Sequence, residues 1–219
     1  IYPSYANVDW SGNAGYDVND PNTYFSTMGC RTANGADINA EPGVNPQTKD
    51  GRGNICPVTI IMPTLAMEAK EIVENIGIHN EEGTTLTYAV ATQVQFMKLL
   101  DKKIHEAKDM LIERFNWICS QDASSAKFMY ENHTMLGYHP EEGIRSALKH
   151  GTIVIGQLGL AETLQILIGK DHTTEEGMAL AKRIEGLFKQ RCAEFKQEYK
   201  LNFGVYYTPA ENLCYTAMK

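Results

Sequence analysis

Thr152-Ile153-Val154-Ile155-Gly156-Gln157-Leu158-Gly159-Leu160 decides the fold. Its first five residues form the short, apolar, β-branched run of a strand buried on both faces. Gly156 and Gly159 stand at the strand exit. Residues 160–168 continue with helical patterning that stops at Gly169. A buried strand therefore runs directly into a helix. The same succession occurs on either side. Val58-Thr59-Ile60-Ile61-Met62 reads as a strand stopped by Pro63-Thr64, with a helix over 65–76. Phe203 to Tyr207 reads as a last strand, with a helix starting at Pro209. Three strand–helix alternations predict parallel strands with covering helices, an α/β layer or barrel.

The remaining elements follow from period and punctuation. The longest predicted helix runs from Thr85 to Cys119, its start set by Gly83-Thr84. Leu86, Val90, Val94, Met97, Leu100, Ile104, Met110, Leu111 and Phe115 recur mostly at three- and four-residue steps, which predicts a core-facing stripe. Phe128-Met129-Tyr130 reads as a short strand, and Glu141 to His150 as a short helix ending at Gly151. Thr173 or Thr174 caps a helix over 175–199. Residues 1–8 read as a strand, and 9–24 and 33–54 as loops dense in Gly, Asn and Pro. A structureless stretch of that length inside a compact domain is unusual unless it serves a site.

Composition sets the class. The chain has 219 residues, 43% hydrophobic and 21% charged, enough for one sizeable core. A net charge of -7 argues against a general nucleic-acid binder and a polybasic membrane anchor. No apolar run reaches membrane-spanning length, and no signal peptide is visible. The five cysteines, Cys30, Cys56, Cys119, Cys192 and Cys214, are scattered without a Cys-x-x-Cys pair. That is neither a disulfide framework nor a zinc knuckle, and a reducing cytoplasm is the simplest compartment. The six histidines show no metal-ligand spacing, so no metal site is expected. The chain begins at Ile1 and stops at Lys219 within a helical pattern. We therefore expect a single-domain piece of a longer protein.

Chemistry concentrates in the loops. Phe25-Ser26-Thr27-Met28-Gly29-Cys30-Arg31-Thr32 places one cysteine beside a glycine, between a thioether and a fixed positive charge, and Ala33 to Ala36 continue as loop. Gly29 lets the chain turn tightly and project Cys30. A buried small hydrophobe and a reactive sulfur on a loop are both open readings. Gly51-Arg52-Gly53-Asn54 reads either as a plain turn or as an anion cradle built from backbone amides and the Arg52 guanidinium. Asn54 offers an amide to a substrate hydroxyl or to its own loop. Tyr207-Thr208-Pro209-Ala210-Glu211-Asn212 has the pattern of a capping box, with Thr208 as cap, Pro209 first in the helix and Glu211 bonding back. The competing reading turns this helix start toward a ligand, its amides on phosphate and Glu211 on the sugar side.

Four segments in order carry a family resemblance: Met28-Gly29-Cys30-Arg31-Thr32, Gly51-Arg52-Gly53-Asn54, the strand-Gly-x-x-Gly-Leu segment 152–160, and Val205-Tyr206-Tyr207-Thr208-Pro209-Ala210-Glu211-Asn212-Leu213. Together they resemble the catalytic subunit of anaerobic (class III) ribonucleoside-triphosphate reductase, over nearly the whole chain. The resemblance implies part of the ten-stranded α/β barrel of ribonucleotide reductases and glycyl-radical enzymes, with an internal cysteine finger loop. It implies radical reduction of ribonucleoside triphosphates to deoxyribonucleoside triphosphates. Cys30 matches the cysteine that becomes a thiyl radical and takes the ribose 3′-hydrogen, and Met28 is its packing neighbour. Asn54 matches an asparagine near substrate, and Glu211 a carboxylate assisting at the ribose. Arg52, Thr208, Pro209 and Ala210 are then the candidate substrate-binding residues.

By the same resemblance, this piece is the C-terminal portion of the barrel and holds no cofactor. The N-terminal regulatory region, the glycyl-radical segment and a four-cysteine structural zinc site are expected elsewhere in the parent protein, and the piece alone is expected to be inactive. The implied partners are the nucleotide substrate, a radical-SAM activating enzyme, formate or a thiol protein as reductant, and a second subunit in a homodimer. Two other readings compete: a non-catalytic nucleotide-binding or structural barrel fragment, and another glycyl-radical enzyme. The last usually carries Cys-x-Glu, whereas Thr32 stands two residues after Cys30 here.

Overall fold

The computed structural model describes residues 17, 19, 26–28, 32–44, 52–132 and 134–210, without the side chains of 26–28 and 32–34. The expected strand over 1–8 and nearly all of the expected loop over 9–24 lie outside the described residues. The architecture is mixed α/β with a small parallel sheet. In order the elements are β1 Ser26–Met28, β2 Thr32–Asn34, β3 Asn54–Ile61, α1 Met62–Asn75, α2 Thr85–Cys119, α3 Lys127–Glu131, α4 Arg145–Leu148, β4 Thr152–Leu158, α5 Leu160–Ile168, α6 Glu175–Tyr199 and β5 Asn202–Tyr207. Strands β3, β4 and β5 form one sheet in that order. Their starts align: the Thr152 amide donates to the Gly53 carbonyl at 2.7 Å, and Asn202 Nδ2 to the Gly151 carbonyl at 3.3 Å. Their ends align too, with the Thr208 amide donating to the Gln157 carbonyl at 3.0 Å. Separately, β1 and β2 pair antiparallel, with Ser26 opposite Asn34 and Met28 opposite Thr32.

Several expectations are corrected. Ala33 and Asn34 are strand residues, because pairing with β1 satisfies a backbone that reads as loop in isolation. Strand β3 begins four residues before Val58 and ends at Ile61, so Met62 belongs to α1. Its first half is illegible in sequence because Cys56 takes φ 52° and Pro57 lacks an amide. Pro63 sits in the first turn of α1, where the missing donor costs nothing. Residues 128–130 are helical, not a strand. They follow a 3₁₀ turn, Ala123–Ala126, started by the Asp122 carboxylate accepting from the Ser124 amide at 2.8 Å. That local cap decides the backbone where three apolar residues carry no period. The helix expected over 141–150 shrinks to Arg145–Leu148, since Gly143 takes φ 69°, outside helical space.

The chain divides into two compact units. The first takes the described residues within Ile1–Pro57, Met110–Val154 and Cys192–Tyr206. Its core includes Leu111, Phe115, Ile153, Val154, Phe195 and Phe203. Phe195 and Phe203 meet edge to face at 5.6 Å, and the Arg145 guanidinium lies 5.1 Å from the Phe115 ring centroid.

The second unit takes the described residues within Val58–Asp109, Ile155–Arg191 and Tyr207–Lys219. Here α1 packs on α5, burying Met62, Leu65, Ala66, Ala69 and Val73 on one side and Leu164 and Leu167 on the other. Gly159 and Gly169 bracket α5 with φ 81° and 67°. A Cβ at Gly159 would lie 2.4 Å from Pro63 Cγ, so this strand-to-helix turn requires glycine twice over. Arg191 grips Asp101 through Nε at 2.6 Å and a second guanidinium nitrogen at 3.0 Å, which holds the Asp101 carboxyl below its ordinary pKa. Helices α2 and α6 match their expected bounds, and Thr174 is the α6 cap, its hydroxyl accepting from the Gly177 amide at 3.1 Å. The stripe of α2 is corrected, however. Its first half buries Tyr88, Thr92, Phe96, Leu100 and Ile104, while Leu86, Val90 and Val94 are exposed.

Candidate functional site

In the first unit two candidate residues, Arg52 and Asn54, stand at the start of β3. Arg52 is nearly buried, 9% exposed. Its Nε donates to the His150 carbonyl at 3.1 Å and one terminal nitrogen to the Gly35 carbonyl at 2.7 Å. Burial lowers the guanidinium pKa, opposed by the nearby Asp37 carboxylate. Two residues on, Asn54 opens β3 and is exposed. Arg52 and Asn54 line one cavity of about 490 Å³, together with Gly53, Thr134, Met135 and Gly151. The close approach at its base is fixed by Gly151, where a Cβ would fall 2.5 Å from Ile55 Cδ1 and 3.0 Å from the Gly53 carbonyl. The loop 134–136 is part of the lining that sequence reasoning missed, having no apolar period or turn signature to mark it.

Met28 is the last residue of β1, paired with Thr32. Cys30 lies between them in sequence and outside the described residues. The described cysteines contrast with a reactive thiol. Cys56, Cys119 and Cys192 are reduced, and burial raises the pKa of all three, that of Cys192 to about 12. None is poised as a thiolate.

In the second unit, Thr208, Pro209 and Ala210 follow β5. The Thr208 hydroxyl pairs with the Thr59 hydroxyl at 2.8 Å, and the Thr208 amide donates to the Gln157 carbonyl. The helix expected to start at Pro209 does not: residues 208–210 are irregular and Ala210 takes φ 54°. Proline fixes only its own φ, so it does not commit the next residue to a helix. Glu211 lies outside the described residues.

A polar cluster that sequence reasoning did not single out lies beside them. Gln157 Nε2 and the Tyr207 hydroxyl both donate to Glu185 Oε2, at 2.9 and 3.0 Å. Gln157 is 2% exposed, and Gln157 Oε1 and Glu185 Oε1 are buried acceptors without a hydrogen-bond partner. Burial and Glu185 push the Tyr207 phenol up to about 12. The available signal was one amide in an otherwise apolar strand. Among the described residues, no group of three or more His, Cys, Asp or Glu is placed to hold a metal ion, and no helix is long and apolar enough to cross a membrane.

A small parallel sheet, with a cavity at its strand starts lined by an arginine and an asparagine, makes this a mixed α/β protein. The sequence model for "Anaerobic ribonucleoside-triphosphate reductase" matches residues 2–219, and the chain belongs to that family. Relatives bearing the same name include those of Escherichia coli (strain K12), 26% identical over 98% of this chain, and Haemophilus influenzae (strain ATCC 51907 / DSM 11121 / KW20 / Rd), 27% identical over 98%. That of Enterobacteria phage T4 is 25% identical over 89%. The chain spans about a quarter of these relatives, 27% to 28% of their length.

Proposed function

We propose that this chain is part of the catalytic barrel of an anaerobic ribonucleoside-triphosphate reductase. The observation that carries the reading is the family match over residues 2–219, which includes every candidate site residue. Cys30, once its sulfur has lost a hydrogen atom, takes the 3′-hydrogen from the ribose of a ribonucleoside triphosphate. A thiol suits this step because its S–H bond is close in strength to an activated C–H bond, so the atom can pass in either direction. The 2′-hydroxyl then leaves as water, and a reductant, formate or a thiol protein, supplies the two electrons. Met28, two residues before Cys30 in the sequence, supplies a sulfur that carries no competing proton. Asn54 holds a ribose hydroxyl from the cavity rim, and Glu211 handles the proton that accompanies loss of the 2′-oxygen. Arg52 in the first unit and, separately, Thr208, Pro209 and Ala210 in the second are the residues offered for nucleotide binding.

The same reading makes β1 and β2 the cysteine finger of a ten-stranded barrel, in a cytoplasmic homodimer activated by a radical-SAM partner. By the same reading, glycyl-radical and zinc-binding segments belong to other parts of the parent protein. The test is Cys30→Ala in the full-length protein with its activating enzyme. Deoxynucleotide formation is expected to fall below detection while nucleotide binding persists. Retained turnover in the alanine variant overturns the assignment.

A further inference from the structure

We propose that residues 35–39 form a strap that positions the β1–β2 hairpin, with Asp37 as its central positioning residue. Five consecutive residues after β2 are each tied to the chain that leads into a sheet strand. The Gly35 carbonyl accepts from Arg52, just before β3. The Ala36 carbonyl accepts from Lys196 Nζ near the end of α6. The Asp37 carboxylate accepts from His150 Nδ1 at 2.7 Å and from Asn202 Nδ2 at 2.7 Å, ahead of β4 and at the start of β5. The Ile38 amide donates to Asn202 Oδ1 at 3.0 Å. Asn39 Nδ2 donates to the Lys149 and Lys200 carbonyls at 2.9 and 3.1 Å.

An ordinary surface turn accounts for two further local bonds, the Asn39 amide to Asp37 Oδ1 at 2.9 Å and the Ala40 amide to the Asp37 carbonyl at 3.3 Å, and for none of those above. Those reach residues far along the chain. They also hold a carboxylate whose side chain is 6% exposed, a burial that needs hydrogen-bond partners of this kind. Two cations, Arg52 and Lys196, stand close enough to feel Asp37. Asn34 closes β2 and Asp37 follows three residues later, a tether that extends at most about 10 Å. A fixed Asp37 therefore confines the root of the hairpin. The consequence for turnover rests on the reading of Cys30 given above, whereas the confinement itself does not.

Two measurements on the full-length protein separate these claims. Asp37→Ala is expected to speed amide exchange of residues 26–28 and 32–34 about tenfold or more, with α2 and β4 amides unchanged. With substrate, kcat is expected to fall about tenfold or more at unchanged KM, the signature of a group that orients without binding. Asn39→Ala, which removes only the Lys149 and Lys200 ties, is expected to give a smaller acceleration in the same amides, and it carries the test if Asp37→Ala does not fold. Unchanged hairpin exchange in both variants, or equal acceleration throughout the chain, overturns the strap. A Cys30→Ala enzyme that still makes deoxynucleotides removes the catalytic reading and leaves the exchange result standing.

Discussion

Buried polar atoms are treated in opposite ways in the two units. Leading into the strands of the first unit, one buried carboxylate, Asp37, accepts from an imidazole, an amide side chain and a backbone amide. Leading out of the strands in the second, Gln157 and Glu185 share one bond and each leaves an oxygen unpartnered. A fully satisfied buried network fixes a geometry, and a partly satisfied one fixes it less firmly. The first arrangement suits an anchor that must not move. The second ties Gln157 and Tyr207 through a single oxygen of Glu185.

Four substitutions break or sharpen this contrast. Asp37→Asn turns an acceptor into a donor facing donors, and equilibrium denaturation should show a loss of about 1.5–3 kcal/mol. Tyr88 belongs to the second unit, where its hydroxyl donates to Glu74 at 2.7 Å, so Tyr88→Phe should cost about 1 kcal/mol at neutral pH. Burial and Glu74 raise the Tyr88 phenol from its ordinary 10 to about 12. Its folded form therefore keeps a proton that the unfolded chain has lost, and stability falls as pH rises from 10 to about 12. Denaturation midpoints across that window should fall less steeply in the phenylalanine variant. Glu185→Gln brings a donor to the unpartnered side while leaving one oxygen for Gln157 and Tyr207. It should cost less than about 1 kcal/mol, and a loss matching that of Asp37→Asn would erase the contrast. Leu86→Lys should change stability by no more than about 0.5 kcal/mol, because Leu86 is 79% exposed despite its place in the helical pattern.

The α2 result shows what a periodic pattern resolves. Leu86, Val90 and Val94 keep the same four-residue step as Tyr88, Thr92 and Phe96, two residues out of phase. Apolar type alone favours the first set. Burial went to the second, where larger aromatic rings fill the core and Thr92 turns its hydroxyl onto the Tyr88 carbonyl at 2.8 Å. The cavity lining was legible to a similar degree. Arg52 and Asn54 stand out by motif, and both line the cavity. Asp37, His150 and Asn202 do not, since an Asp-x-Asn turn, a histidine near a helix end and an asparagine before an apolar run are ordinary in isolation.

The sequence by itself determined the strand–helix alternation, the bounds of α2, α5 and α6, and the motif order that marks the family. Each of these is written in local period, caps and glycine placement. Tertiary structure decided which apolar face of α2 is buried and where β3 begins. It also decided that residues more than a hundred positions apart converge on Asp37. Those outcomes depend on partners brought together only when the chain is folded, and no local run of residues encodes the partner.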